Sequence, residues 1–201
     1  MTDSKDQLAG KAVLVGELQT GKTSLILRLT ENSFFPDQRS TLVSSITDYH
    51  GEYKSNPFHL RVWDTSGQEK FRSLNQIFYR DAIIVILVYD ITRRETFTEL
   101  ETYWITQIKE TCPAETVICV VGNKADLFQK QEVTEDEGRN FAKKYDAIFA
   151  LTSCFNGDGV KELFDEAAER AILRKLMGTA PHLNLDDVQE EKKGCCGSNK
   201  K

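Results

Sequence analysis

Short apolar runs rich in Val and Ile alternate along this chain with stretches in which apolar residues recur at helical spacing. The runs are typical of buried strands, and the spaced stretches are typical of helices that pack one face against a sheet. Their alternation favours a parallel sheet covered by helices on both faces. We predict strands at residues 11–15, 45–53, 58–63, 82–88, 116–121 and 147–151, and helices at residues 24–29, 95–111, 135–144 and 160–177.

One pair of predicted strands, 45–53 and 58–63, is joined by the short segment KSNP. A connection this short requires the two strands to be antiparallel. The fold class is therefore expected to be α/β, with a six-stranded, mostly parallel sheet that has one antiparallel strand at its edge. Two polar segments without a clear period, 30–41 and 64–76, are expected to be loops.

Length and composition fit one folded domain, because 201 residues with 40% hydrophobic content can build a single core. We expect this domain at residues 10–177, after a flexible N-terminus at residues 1–9. Beyond it, residues 178–201 combine Pro, Gly and acidic residues without apolar periodicity, which predicts a disordered tail.

The charge and the cysteines narrow the class of function. A net charge of −5 argues against a nucleic-acid partner, because proteins bind nucleic acids largely by neutralising their phosphates with basic side chains. The five cysteines are odd in number and lack zinc spacing, which favours reduced intracellular thiols. No apolar run reaches the roughly 18 residues of a membrane helix. Any membrane attachment is therefore expected to come from a lipid or a partner.

The segment GELQTGKT, residues 16–23, matches the phosphate-binding pattern G-x-x-x-x-G-K-[ST] between a predicted strand and a predicted helix. Its glycines let backbone N–H groups point at phosphate oxygens, and the helix adds its positive N-terminal end. A Gly-rich turn can carry the same letters by chance, but the flanking elements favour a nucleotide site. We predict nucleotide contacts from Gly16, Glu17, Leu18, Gln19, Thr20, Gly21, Lys22, Thr23 and Ser24.

Four further residues are candidates for the phosphate end of the site. Asp64 ends a predicted strand at the edge where ligands bind in open α/β folds, and it can hold a Mg²⁺-bound water. Thr41 is a second candidate on the metal side. Gly67 can turn its N–H toward a γ-phosphate, and Gln68 can reach an attacking water. Taken alone, DTSGQE reads equally well as a polar turn.

The segment NKAD, residues 123–126, indicates which base is bound. The Asp126 carboxylate can accept hydrogen bonds from the N1–H and the exocyclic amine of guanine, which adenine does not offer. Adenine would leave this carboxylate unpaired, at a cost of about 1–3 kcal/mol. Asn123 is expected to brace the loops, and the stem of Lys124 to cover the base. The expected ligand is therefore GTP or GDP.

Together these motifs resemble the Ras superfamily of small GTPases over about residues 10–175, and within it the Rab family. The likeness rests on RVWDTSGQE, RSLNQIFYRDA, ILVYDIT, VVGNKAD, the helix that contains Trp104 and the cysteine pair near the end of the chain. Nineteen residues separate Lys22 from Thr41, as between the matching residues of the family. The resemblance implies that Thr41 completes the shell of Mg²⁺ with Thr23 and Asp64. It also implies that Phe34 packs against guanine, which is bound by the loop of Ser153, Cys154 and Phe155.

The resemblance implies a switch whose loops are ordered by GTP and relax after hydrolysis, with Lys22, Thr41 and Gln68 as the catalytic residues. It implies a monomer that works with effector proteins, an exchange factor, an activating protein and escort or dissociation-inhibitor proteins. The expected place is the cytoplasm and the cytosolic face of an intracellular membrane, in vesicle trafficking. GELQTGKTSL and TLVSS resemble the endocytic Rabs, which favours an endosomal membrane.

Cys195 and Cys196 resemble the doubly geranylgeranylated end of Rab proteins, and two lipids are what stable anchoring requires. The five residues GSNKK follow the pair, which is more than Rab proteins generally carry. Incidental tail cysteines therefore stay the alternative to a lipid anchor.

Departures from the family pattern concern the turnover of nucleotide. Leu18 and Gln19 stand where the family carries small residues, and the bulk of Leu18 is expected near Gln68. We expect slow hydrolysis and a weak response to an activating protein, unless Leu18 turns outward. A nucleotide-locked module with negligible turnover is the alternative, whereas a P-loop kinase or ATPase leaves NKAD without a role. Phe155 replaces a lysine, which is expected to loosen the nucleotide slightly.

Overall fold

The computed structural model describes residues 8–36, 45–53, 56–65 and 76–179. The strands within these residues are β1 (Leu8–Val15), β2 (Ser45–Tyr53), β3 (Asn56–Asp64), β4 (Ile84–Asp90), β5 (Val117–Asn123) and β6 (Ile148–Thr152). The α-helices are α1 (Lys22–Glu31), α2 (Gln76–Tyr79), α3 (Arg94–Glu99), α4 (Ile105–Thr111), α5 (Glu135–Lys144) and α6 (Val160–Thr179). A π-helical turn, Leu100–Trp104, joins α3 to α4, and a 3₁₀ segment, Ala125–Lys130, follows β5.

The six strands form one sheet in the order β2-β3-β1-β4-β5-β6. β2 pairs with β3 in the antiparallel direction, and every other pair is parallel. The predicted fold class, with its antiparallel edge strand, is therefore confirmed. The register places Leu14 opposite Asp64, and Asn123 opposite both Asp90 and Thr152. The carboxyl ends of β1, β3, β4, β5 and β6 thus meet at one edge of the sheet.

The core has two layers, one on each face of the sheet. Alternate residues of β1 enter different layers, since Leu14 packs with α1 and α6, and Val13 packs with the segment that contains Phe97 and Trp104. All seven residues of β4 are buried, as its continuous apolar sequence predicts for a central strand covered on both faces. The site at the carboxyl edge therefore stands on a rigid, close-packed support.

Several element bounds differ from their predicted positions. β1 begins at Leu8, so the last two residues of the segment expected to be flexible pair with β3. α1 continues to Glu31, two residues into the predicted loop, and ends where Asn32 takes a left-handed conformation and donates its backbone N–H to the Leu27 carbonyl. α6 continues to Thr179, so the first two residues of the predicted tail are helical. Residues 1–7, 37–44, 54–55, 66–75 and 180–201 lie outside the described residues. No helix in the described part of the chain is long and apolar enough to cross a bilayer.

Helix α5 shows how closely a helix approaches this sheet. Its N-terminus has a capping box, in which the Thr134 hydroxyl accepts from the Glu137 N–H and the Glu137 carboxylate accepts from the Thr134 N–H. One turn on, a Cβ added at Gly138 would lie 2.5 Å from a ring carbon of Phe149 and 2.5 Å from the hydroxyl oxygen of Tyr89. This glycine is required by close packing.

We predict that Gly138→Ala lowers the free energy of unfolding by about 1–2 kcal/mol, since overpacking outweighs the roughly 1 kcal/mol gained in helix propensity. Denaturant unfolding at fixed excess GDP and Mg²⁺ measures the change. The control is Asn140→Ala on the exposed face of the same helix, which should change stability by less than about 0.5 kcal/mol. Equal stability of wild type and Gly138→Ala would show that Phe149 and Tyr89 move aside at little cost.

Candidate nucleotide-binding site

The predicted site residues that the structure describes lie at the carboxyl edge of the sheet. The phosphate segment, residues 16–23, follows β1, and Asp64 ends β3. The first base segment, residues 123–126, begins at the last residue of β5, and the second, residues 153–155, follows β6. The topology therefore brings together segments that are far apart in the chain.

Five predicted site residues have no described geometry. Thr41, Gly67, Gln68, Cys195 and Cys196 lie outside the described residues. Their roles stay predictions from the sequence.

The two motif glycines of the phosphate segment, Gly16 and Gly21, both have a positive φ. A Cβ added at Gly16 would lie 2.1 Å from the Val88 carbonyl oxygen, and one at Gly21 would lie 2.2 Å from the side-chain nitrogen of Asn123. Neither position can accept a side chain without a shift of its neighbours. Gln19, with φ 62°, takes the left-handed conformation without being glycine.

Lys22 is buried inside the phosphate segment. Its ammonium group donates to the carbonyl of Gly16 at 2.8 Å and to that of Glu17 at 2.9 Å. The same Glu17 carbonyl accepts from the Thr20 hydroxyl at 2.9 Å, which tightens the turn. A cation held within a tight glycine turn at a helix N-terminus is suited to phosphate binding.

Thr23 and Asp64 meet at the start of α1. The Thr23 hydroxyl donates to Asp64 Oδ2 at 2.6 Å, and Asp64 is only 1% exposed. Hydroxyl and carboxylate oxygens are ligands that Mg²⁺ prefers, so these two residues fit a magnesium ion. The described residues contain no cluster of three or more acidic, His or Cys side chains that could hold a metal.

Asn123 connects the base segments to the phosphate segment. Its side-chain nitrogen donates to the Thr20 carbonyl at 2.8 Å. Its side-chain oxygen accepts from the Thr152 hydroxyl at 3.2 Å and from the Cys154 thiol at 3.4 Å. The expected bracing role of Asn123 therefore has a described geometry that involves three loops.

Asp126 and Ser153 come from different base segments. The Ser153 hydroxyl donates to Asp126 Oδ1 at 2.6 Å. An aspartate carboxylate can accept about four hydrogen bonds, so this contact orients the carboxylate and leaves it able to accept more. The arrangement suits a ligand that presents neighbouring N–H donors.

Lys124 is held by a carboxylate that sequence reasoning did not identify. Its ammonium group lies 2.6 Å from Asp90 Oδ2 at the end of β4, where Asp90 is buried. Burial pushes the pKa of Asp90 upward, but hydrogen bonds from Lys124 and Thr92 outweigh it and hold the pKa below its usual value. Lys124 itself takes a left-handed conformation, with φ 66°, that aims the chain into the 3₁₀ segment.

A cavity of about 120 Å³ opens between the base segments, the start of α1 and Phe34 in the segment after α1. Its lining comprises Gly21, Ser24, Phe34, Asn123, Lys124, Asp126, Leu127, Cys154 and Phe155. All of these except Leu127 are predicted nucleotide contacts. The cavity therefore joins the base-recognition residues to the phosphate segment, as a nucleotide requires.

Cys154 takes part in this site through its backbone and its packing. The residue is 4% exposed, and burial raises the pKa of its thiol to about 11. The thiol therefore stays protonated near neutral pH and serves as a donor to Asn123. A reactive thiolate is not expected at this position.

Two arginines brace the site from outside, and sequence reasoning missed both. Arg28 of α1 donates to the Cys154 carbonyl at 2.8 Å and to the Phe155 carbonyl at 2.9 Å. Arg93 donates to the Leu18 carbonyl at 2.7 Å and to Asp90 at 3.3 Å. Apart from Asp90, which lies three residues before Arg93, these partners are distant in sequence, so no spacing in the chain could have indicated them.

The two residues that depart from the family pattern in the phosphate segment differ in exposure. Leu18 is half-buried, with its carbonyl held by Arg93, and Gln19 is exposed. The expected crowding of Gln68 by Leu18 stays a prediction, because Gln68 lies outside the described residues.

Residues 11–173 match the model of the Ras family. The chain is 36% identical over 160 residues to Ras-related protein Rab-22A of Homo sapiens, which covers 80% of this chain and 82% of that protein. It is 35% identical over 192 residues to Ras-related protein Rab-18-B of Danio rerio, which covers 93% of each chain. It is 33% identical over 205 residues to Ras-related protein RABA1h of Arabidopsis thaliana, which covers 94% of each chain. The family match includes the phosphate segment and both base segments.

We predict that Gln19→Gly raises the free energy of unfolding by about 0.5–1 kcal/mol, since glycine relieves the left-handed strain and only part of this gain is offset in the unfolded chain. Denaturant unfolding at fixed excess GDP measures the change, and GDP affinity is determined separately because binding also stabilises the fold. Gln19→Ala keeps the strain and is the matched control. An equal gain in Gln19→Ala would contradict the explanation.

Proposed function

The chain belongs to the Ras family of small GTPases and is of the Rab type, and from this premise we propose that its site at the carboxyl edge of the sheet works as a switch set by GTP and GDP. As a Rab-like GTPase of vesicle trafficking, the protein hydrolyses GTP to GDP and phosphate. The observation that carries the proposal is the hydrogen bond from Asn123 to the Thr20 carbonyl, at 2.8 Å. It joins a base site to a phosphate site at a fixed separation.

The base is recognised by the walls of the 120 Å³ cavity. Asp126, oriented by Ser153, accepts the N1–H and the amine of guanine, and the backbone N–H of Cys154 donates to the guanine oxygen. The stem of Lys124 and the ring of Phe34 cover the base. The hydrogen bond from Ser153 and the ion pair with Asp90 support this assignment.

The phosphates are bound by the backbone of residues 16–24 and by Lys22. Thr23, Asp64 and Thr41 would hold Mg²⁺, which would supply neutralising charge to the phosphate oxygens. Lys22 stabilises charge on the same oxygens, and Gln68 orients the attacking water. The buried Lys22 ammonium and the contact of Thr23 with Asp64 support the described part of this set.

The switch depends on contacts that exist only with GTP. Thr41 and Gly67 contact the γ-phosphate and its metal, and hydrolysis removes these contacts. Effector proteins bind the GTP form, an exchange factor reloads the site, and an activating protein accelerates hydrolysis. Leu18, whose bulk is expected near Gln68, makes turnover slow. A locked module without turnover is the second candidate, favoured by the same residue.

Membrane attachment occurs through prenyl groups on Cys195 and Cys196. Escort and dissociation-inhibitor proteins carry the lipidated monomer through the cytoplasm to the cytosolic face of an intracellular, endosomal membrane. The resemblance of the C-terminal cysteine pair to the ends of Rab proteins supports the lipid anchor, and the resemblance of GELQTGKTSL and TLVSS to endocytic Rabs supports the endosomal membrane.

Asp126→Asn tests base recognition. We expect it to weaken GDP binding at least about a hundredfold and to strengthen binding of xanthosine diphosphate, because an amide can donate to the additional oxygen of xanthine. Equilibrium binding of both nucleotides measures the switch in specificity. Asp136→Asn, which removes an equal charge from the exposed start of α5, should leave both affinities unchanged. Unchanged GDP affinity in Asp126→Asn would refute the assignment.

Leu18→Ser tests the control of turnover. We expect single-turnover hydrolysis of GTP to accelerate about tenfold, the equivalent of roughly 1.4 kcal/mol of barrier, because space for Gln68 is restored. Leu173→Ser is the control, because this leucine is 50% exposed on α6 and none of the predicted contacts involves it, so little change is expected. Equal rates of wild type and Leu18→Ser would mean that Leu18 turns outward. A wild type with no measurable turnover would favour the locked module.

A further inference from the structure

An aromatic pair closes one side of the base cavity. Phe34 comes from the segment after α1, and Phe155 comes from the loop between β6 and α6. Their ring centroids lie 5.9 Å apart with an interplanar angle of 89°, which is edge-to-face packing. Both rings line the cavity of about 120 Å³. Two separate loops are thus joined at the place where the base is expected to bind.

Arg28 fixes the Phe155 side of this contact. Its guanidinium donates to the carbonyls of Cys154 and Phe155 at 2.8 and 2.9 Å. The same group donates to the backbone and side-chain oxygens of Asn32, each at 2.9 Å, directly before the segment that carries Phe34. One guanidinium therefore braces both loops that supply the aromatic rings.

The exposure of Phe155 argues that the ring is not needed to fill the core. Its residue is 64% exposed, although its edge contact is well formed. Edge-to-face pairs stabilise by more than their buried area accounts for. The Phe34–Phe155 contact contributes little to folding. Because it spans the mouth of the base cavity, it opposes the opening of that cavity.

We propose that Phe34 and Phe155 form an aromatic clasp, braced by Arg28, that slows the release of guanine nucleotide. The inference rests on the proposed nucleotide site and adds a regulation of it. From the sequence alone, Phe155 in place of lysine is expected to bind the nucleotide slightly less tightly. The proposed clasp implies the opposite effect. The base leaves only when the two loops separate, and the clasp adds its own stabilisation to the closed arrangement.

The test is release of tritiated GDP, which carries no bulky label near Phe34. The full chain is loaded in excess Mg²⁺, chased with unlabelled GDP, and sampled by filter retention. Phe155→Ala should release GDP about two- to tenfold faster than wild type, the range of an aromatic pair. Phe155→Tyr retains the ring and should restore the wild-type rate.

A double-mutant cycle separates the clasp from the contact of Phe34 with the base. Once Phe34→Ala has broken the clasp, adding Phe155→Ala should accelerate release by less than about twofold. Arg28→Lys keeps the positive charge but loses the forked guanidinium that contacts both loops. It should accelerate GDP release more when Phe155 is present than when it is already replaced by Ala. Multiplicative effects of Phe34→Ala and Phe155→Ala would overturn the proposal.

The controls are two other exposed phenylalanines. Phe35 is 55% exposed and Phe128 is 62% exposed, and neither lines the cavity. Phe35→Ala and Phe128→Ala should leave the rate unchanged, and all variants should keep the far-ultraviolet circular dichroism spectrum of wild type, because a thermal midpoint measured in GDP would also follow the change in affinity. If Phe35→Ala matches Phe155→Ala, the clasp is wrong but the site stands. If wild type retains no guanine nucleotide, both the clasp and the proposed site are rejected.

Discussion

The buried amide of Asn123 is the interaction on which the nucleotide site depends. It donates to the Thr20 carbonyl and accepts from Thr152 and Cys154, so one side chain fixes the separation of three loops. A buried amide with unpaired atoms costs free energy, so the loops are held at the positions that satisfy it. Gly21 belongs to the same constraint, because any Cβ there would meet the Asn123 nitrogen at 2.2 Å. The spacing of phosphate and base recognition therefore follows from one residue and one glycine.

Much of the fold could be predicted from the sequence where a local pattern has a single explanation. β4 is a continuous apolar run because it is buried on both faces, and α5 has the predicted bounds, with a capping box at its start and polar residues around its exposed face. The π-helical turn Leu100–Trp104 was not predicted, because apolar residues at spacings of three and four do not reveal one extra residue in a turn. The start of β1 was placed too late, because pairing with β3 extends a strand beyond its most apolar residues.

The site residues that belong to known sequence motifs could be predicted. The site contacts between residues far apart in the chain could not. Lys22, Thr23, Asp64, Asn123 and Asp126 stand in motifs, and they lie at one edge of the sheet as expected. The pair of Asp90 and Lys124 and the contacts of Arg28 exist because the topology brings β4, β5 and β6 side by side. A polar residue that ends a buried strand at the ligand edge was the one available signal for Asp90. No comparable signal marks Arg28.

The antiparallel direction of β2 has a consequence for communication within the molecule. Ser45, where β2 begins, lies opposite Asp64, where β3 ends. The chain therefore enters β2 and leaves β3 at neighbouring points beside Asp64. β2, the outer strand of this pair, lies at the edge of the sheet. A parallel β2 would have placed its entry at the opposite end of β3. Reversing one strand thus gives the chain before β2 and the chain after β3 a shared anchor, and a displacement of that anchor moves both ends of the strand pair at once.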